Sequence, residues 1–131
     1  METLTLEIKT SDRSQMLNIT EKVRQAVRDS SVTNGTVTVF VPHTTAGVTI
    51  NENADPDVVR DILYELDKIV PWEDAYRHFE GNSAAHIKAS MMGSSVMVII
   101  ENGRLLLGTW QGIYFCEFDG PRNRKVIIKV S

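Results

Sequence analysis

The chain has 131 residues, 42% of them hydrophobic and 24% charged, and its 14 basic and 17 acidic side chains give a net charge of −3. A chain of this size builds one core and not two, and this balance excludes extensive disorder, so we read residues 1–131 as a single domain. The slightly acidic whole offers no general field for nucleic acid, no apolar run reaches the ~18 residues of a membrane span, and the lone Cys116 excludes an internal disulfide. The opening METLTLEIKT alternates and is charged, unlike a secretory leader, so the expected location is cytoplasmic.

Residues 3–9 alternate with Leu4, Leu6 and Ile8 on one face and predict a half-buried strand. A second short strand is expected over 16–19, and Thr20 can then cap a helix from Glu21 to about Ser30 with Val23, Ala26 and Val27 on its apolar stripe. After the Asn34-Gly35 turn, 36–41 is a strand with Val37, Val39 and Val41 inward. Pro42 interrupts it, and an extended run continues through Ile50, with Ala46, Val48 and Ile50 on one face and His43, Thr45, Gly47, Thr49 and Asn51 on the other. That polar face is either a solvated sheet surface or a ligand face.

Asp55 before Pro56 is a strong helix start, and the apolar residues from Val58 to Val70 recur at helical spacing until Pro71. A shorter helix is expected from Ala84 to Met92, opened by Asn82 or Ser83, with Asn82, His86, Ser90 and Gly93 on one polar stripe and Ile87, Met91 and Ala84 elsewhere to anchor it. Residues 95–100 form a continuous apolar run, as in a strand covered on both faces, and Asn102-Gly103 turns it into a hairpin with 105–107. Strands over 113–118, where Cys116 reads as a buried small hydrophobe, and 125–130 complete the chain. About seven strands and about three helices without steady βαβ alternation predict an α+β fold: a β-sandwich of largely antiparallel strands with helices packed on it.

Three neutral imidazoles, His43, His78 and His86, would make a facial set of metal ligands if they converge. Their separations of 35 and 8 residues match no compact zinc motif, and the bland alternative is a turn residue, a surface loop residue and a satisfied helix residue. The helix opening at Gly81-Asn82-Ser83 could receive an anion, but every helix has such an end. Lys88 lies about 160° from His86 on the helical wheel. Arg77, Arg104, Arg122 and Arg124 are the other available cations and are read by default as solvated. Asp55 is a cap, Glu52 a candidate acidic ligand or proton acceptor, and Trp110 and Gln111, amid glycines, could be a ligand wall, an interface anchor or a tight bend.

The segments HTTAGVTINENADPDV, HFEGNSAAHIKASMMG and GRLLLGTWQGIYFCEF, in this order between about Val39 and Phe118, closely resemble the YjbQ family, often labelled secondary thiamine-phosphate synthase. The resemblance places His43 with Thr44 and Thr45 on a His-Thr-Thr motif, Asn51 and Glu52 on an Asn-Glu pair, and His78 and His86 around a Glu-Gly segment followed by Lys88 and Ser90. Trp110 and Gln111 fall on a Gly-Thr-Trp-Gln element. It implies a homotrimer with a divalent metal, zinc or magnesium, at His43, His78 and His86, and a small phosphorylated or pyrophosphorylated substrate. On that expectation Asn51, Glu52 and Lys88 serve catalysis, Lys88 from a neighbouring subunit, and Thr44, Thr45, Asn82, Ser83, Ser90, Trp110 and Gln111 surround the substrate. The rival expectation is a non-catalytic trimer that holds a metal or anion. No nucleic-acid or membrane partner is expected.

Overall fold

In a computed structural model, which describes residues 3–131, the strands are β1 (Thr3–Lys9), β2 (Gln15–Asn18), β3 (Gly35–Phe40), β4 (Ala46–Glu52), β5 (Ser95–Glu101), β6 (Arg104–Leu105), β7 (Gln111–Glu117) and β8 (Asn123–Val130). The helices are α1 (Thr20–Ser30), α2 (Pro56–Ile69) and α3 (Ser83–Met92). All pairings are antiparallel, in a five-stranded sheet ordered β1-β8-β3-β5-β6 and a three-stranded sheet ordered β2-β7-β4. The expected α+β class and helix-covered antiparallel strands are what the chain adopts.

Alternation along each strand decides the layers. Val37 and Val39 of β3, Val98 and Ile100 of β5, and Val126 and Ile128 of β8 face Val48 of β4 and Ile113 and Phe115 of β7 across one buried core. Val23, Ala26 and Val27 of α1 join that core. On the other face of β7, Tyr114 and Cys116, followed by Phe118, pack with Leu66 of α2 and Ala85 and Ala89 of α3. The order of layers is therefore large sheet, small sheet, then α2 and α3. Burial pushes the Cys116 thiol up to about 12, so it behaves as a core hydrophobe.

Local chemistry explains the element ends. Asp55 caps α2 by accepting the Asp57 backbone N–H at 2.9 Å, with Pro56 at the first helical position. Asn102 and Gly103 both take positive φ, 53° and 75°, as a two-residue hairpin with the twist of its flanking strands requires.

Four expectations change. Thr20 does not cap α1; it is the first helical residue, and the residue before it makes no side-chain capping bond. The run 95–100 is covered on one face only: Val98 and Ile100 are buried, while Met97 and Ile99 stand 62% and 53% exposed on the outer face of the large sheet. Ile87 and Met91 do not anchor α3; they are exposed, and the helix packs through Ala84, Ala85, Lys88 and Ala89. Small residues let this helix approach the sheet closely, where larger ones would hold it off. Finally, the extended run after Pro42 is a loop until β4 begins at Ala46, and the expected polar face is covered by α3 at Gly47, while Asn51 at its far end is exposed.

A Cβ on Gly47 would stand 2.6 Å from the Gly93 carbonyl oxygen and 3.2 Å from that of Ala89, both backbone atoms. Gly47→Ala is therefore expected to lower unfolding stability by about 1–3 kcal/mol through overpacking. Urea denaturation measures it; an unchanged midpoint would contradict this packing of α3 on β4.

Candidate functional site

The polar site is built where the 41–45 loop, the loop after β7 and the first turns of α3 meet. Its foundation is buried. Glu117 keeps the inward parity of Ile113 and Phe115 on β7, Arg124 that of Val126 and Ile128 on β8, so the two charges meet at one end of the inter-sheet core. Arg124 Nη2 lies 2.5 Å from Glu117 Oε2 and its Nε 2.9 Å from Oε1. Thr10 donates its hydroxyl to the same carboxylate at 2.8 Å, and the Asp119 N–H donates at 3.0 Å. Burial alone would raise the Glu117 pKa; the bonds from Arg124, the Asp119 N–H and Thr10 outweigh it and hold the group below its ordinary value.

Arg124 also reaches forward, donating through Nη2 to Thr45 Oγ1 at 2.8 Å, which fixes the end of the His-Thr-Thr loop. At the start of that loop His43 Nε2 accepts the Lys125 backbone N–H at 2.9 Å. Both ends of the 43–45 segment are thus bonded to consecutive residues of β8. On the opposite wall, Asp119 accepts the Asn82 amide at 3.0 Å and the Arg122 guanidinium at 3.1 Å. Asn82 does not cap α3 with its side chain, and its Oδ1 is buried without a partner among the described residues.

His86 is the hub. With His43, Asn82, Arg122 and Arg124 it lines a cleft of about 560 Å³. With His43, Thr44 and Ser90 it lines a second of about 500 Å³, and with His78 and Ser83 a third of about 350 Å³. The His78 and His86 rings stand edge to face with centroids 5.5 Å apart, and His78 Nε2 lies 3.8 Å from Glu80 Oε2. The structure therefore places His43 and His86 with Thr44, Thr45, Asn82 and Ser90, and His78 with His86 and Ser83 on a separate cleft.

The other expected site residues lie elsewhere. Asn51 and Glu52 end β4, about 20 Å from its start at Ala46 by strand rise. There the Glu52 N–H is bonded by Asn51 Oδ1 at 2.7 Å, and the Glu52 carbonyl accepts the Tyr114 hydroxyl at 2.9 Å. Glu52 pairs in register with Gln111, whose Oε1 accepts the Gly108 N–H at 2.8 Å, and Trp110 is 63% exposed beside it. Lys88 is only 1% exposed; its Nζ lies 2.5 Å from Asp67 Oδ1 and 4.1 Å from the Trp72 ring centroid, joining α3 to α2 within one subunit. Residues that sequence reasoning missed are Glu117 and Asp119, and Arg124 is buried where a solvated cation was expected. A carboxylate inside the apolar run IYFCEF was the available signal for Glu117, since such a charge needs a buried partner.

A three-histidine metal centre does not fit this arrangement. Among the described residues no group of three or more His, Cys, Asp or Glu side chains is placed to hold a metal. The chemistry of His43 gives the reason. A neutral imidazole has one acceptor nitrogen, and Nε2 already spends its lone pair on the Lys125 N–H, so Nδ1 carries the proton. Coordination through Nδ1 would move that proton to Nε2, where it would meet the Lys125 N–H head on. His43 is built to donate.

Burial, with the neighbouring Arg124 charge, lowers the His43 pKa below its ordinary 6.5, so the unfolded chain takes up this proton first on acidification. Stability should fall as pH drops below 6.5 and level off beneath the folded pKa of His43. A second loss should follow below 4.5, as pH passes through the lowered pKa of Glu117. Chemical denaturation across pH should show both phases, and His43→Asn should remove the first and keep the second. A His43→Asn profile identical to the parent would contradict the lowered pKa of His43.

A family model described as UPF0047 protein YjbQ-like matches residues 4–131. The UPF0047 protein YugU of Bacillus subtilis is 57% identical over 127 residues, covering 96% of each chain, and the UPF0047 protein MJ1081 of Methanocaldococcus jannaschii is 50% identical over 124 residues, covering 95% of this chain and 90% of its own. The crystal structure of an uncharacterized conserved protein of the yjbq/upf0047 family from Clostridium acetobutylicum superposes with a TM-score of 0.97 at 62% identity, covering 98% of this chain and 99% of that one. The hypothetical protein APE1520 of Aeropyrum pernix superposes with a TM-score of 0.95 at 38% identity, over 100% of this chain and 98% of that one. With the match extending from β1 to the last residue, the chain belongs to the YjbQ-like UPF0047 family.

Proposed function

We propose that the chain binds a small phosphorylated or pyrophosphorylated molecule in the cleft between His43 and His86. The observation that carries this reading is the His43 bond to the Lys125 N–H, which leaves Nδ1–H as a donor on a ring held at a cleft wall. Arg122 lines the same cleft, where an anion would compete with Asp119 for its guanidinium and face Glu80, and the volume of about 560 Å³ suits a small ligand. Donors fixed before the ligand arrives are what an oxyanion needs.

The enzyme we favour is a transferase of the thiamine-phosphate-synthase kind. A ring nitrogen of a thiazole phosphate forms a bond to the methylene carbon of a pyrimidine-methyl pyrophosphate, the carbon–oxygen bond breaks, and pyrophosphate leaves with the electron pair. His43 and Arg122 would stabilise the charge on the departing group, and the attacking nitrogen has a lone pair without needing a base. A non-catalytic anion-binding protein would use the same contacts. A divalent metal is a second reading for His78 and His86, supported by the 5.5 Å spacing of their rings; it would need ligands from outside this set. The cytoplasm is the proposed compartment, and no helix among the described residues is long and apolar enough to cross a membrane. For a homotrimer, the support is the outer face of the large sheet, where Phe40, Met97 and Ile99 are exposed and a copy of the chain could cover them.

Isothermal titration with inorganic pyrophosphate, in buffer containing a chelator, tests the reading. Binding is expected for the parent, weakened about tenfold or more by His43→Ala or by Arg122→Gln, as loss of a charge-assisted or buried donor should do. Affinity unaffected by both substitutions would overturn it. Turnover of the thiazole and pyrimidine substrates then separates the enzyme from the binding protein.

A further inference from the structure

A second cleft, between α1 and the β5–β6 hairpin, carries charge that the histidine site does not use. Arg24 and Arg28 project from α1 one turn apart, and Arg104 enters from the hairpin, all three lining a cavity of about 470 Å³. Half-buried Leu105 supplies apolar wall above the buried Val27, and no carboxylate is among the lining residues. In a chain of net charge −3, three guanidiniums around one concavity are not a consequence of composition.

Their present partners leave them available. Arg24 holds Glu21 at 2.6 Å in an exposed pair, Arg28 donates to the neutral Gln25 amide at 2.8 Å, and Arg104 has no hydrogen bond or ion pair among the described residues. Exposed pairs of this kind are weak and exchange readily for a better anion. The hairpin that carries Arg104 is fixed, because the Gly103 N–H donates to the Thr33 carbonyl at 2.8 Å and the Asn102 N–H to Asn34 Oδ1 at 3.3 Å. Those bonds tie the hairpin tip to the loop after α1 and so hold the cationic walls in register. Arg28 also favours the C-terminal end of α1, which explains its position but not the approach of Arg104.

We propose that this cleft is a second anion site, taking a small molecule whose phosphate meets Arg24, Arg28 and Arg104 and whose apolar or planar body lies against Leu105 and the arginine stems. Guanidinium forks match phosphate oxygens in pairs, and apolar wall beside them favours an organic phosphate over the bare ion. The site shares no residue with the histidine cleft. Ser94, which lines that cleft, precedes β5, and Asn102 follows it, so the two lie about 26 Å apart by strand rise.

The test is an NMR titration of the intact protein with 1-naphthyl phosphate, following backbone amides in parent, Arg28→Gln/Arg104→Gln and His43→Ala proteins. The expected result is saturable shifts at Arg28, Asn102 and Gly103, weakened about tenfold or more in the double arginine variant, retained in His43→Ala, and weakened by added salt. Inorganic phosphate should give the same shifts at higher concentration. Absence of saturable shifts at these amides, or less than about a threefold loss in the double variant, would overturn the proposal. Both arginines are exposed, so the variant should fold, and the amide spectrum verifies it directly.

Discussion

The buried pair of Glu117 and Arg124 is the constraint on which the polar end of this molecule depends. Both charges lie inside the sandwich, with side-chain exposures of 0% and 5%, and every bond that relieves them also fixes a loop. Thr10 ties in the turn after β1, the Asp119 N–H the turn after β7, and Thr45 the segment before β4. Losing one partner would strand the other charge, at a cost of about 3–5 kcal/mol, whereas an apolar pair of matching shape could be as stable. The pair is therefore poorly explained by stability alone. What it provides is geometry: three loops held at one end of the core, with the 43–45 segment bonded to β8 at both ends.

That geometry determines what the histidines can do. Proximity alone would suggest a metal, since His86 shares clefts with both His43 and His78. The Lys125 N–H decides otherwise for His43, because an imidazole that accepts at Nε2 presents a proton at Nδ1. A lowered pKa keeps the ring neutral at neutral pH, so it offers a hydrogen bond without a permanent charge. At that cleft the ring stands with Arg122, which is paired with Asp119, and with Glu80, so His43 contributes a fixed neutral donor among charged groups of both signs.

Local chemistry was legible in the sequence wherever it acted over a few residues. The alternation of β1 and β3, the Asp55-Pro56 start of α2 and the Asn102-Gly103 turn all follow from spacing, whereas a shared site for His78 and His86 was expected only from the family resemblance. What the sequence did not disclose were pairings between distant strands. Lys125 meets His43 across 82 positions, and Thr45 meets Arg124 across 79. Lys88 was expected to serve catalysis for a neighbouring subunit because nothing local shows Asp67 and Trp72 waiting on the other side of α3. Asn51 and Glu52 looked near His43 in the chain, but an extended strand carries them to the opposite end of the small sheet. Met97 and Ile99 looked buried because an apolar run cannot say whether its second face is covered by the same chain.

The most direct measurement is the tautomer of His43, read from long-range proton–nitrogen correlations of the imidazole in uniformly ¹⁵N-labelled protein at pH 7.5, before and after adding inorganic pyrophosphate with a chelator present. The account predicts a neutral ring protonated at Nδ1, with the Nδ1 signal moving on titration while Nε2 keeps the character of a bonded acceptor. A ring protonated at Nε2, or an Nδ1 signal indifferent to saturating pyrophosphate, would contradict it.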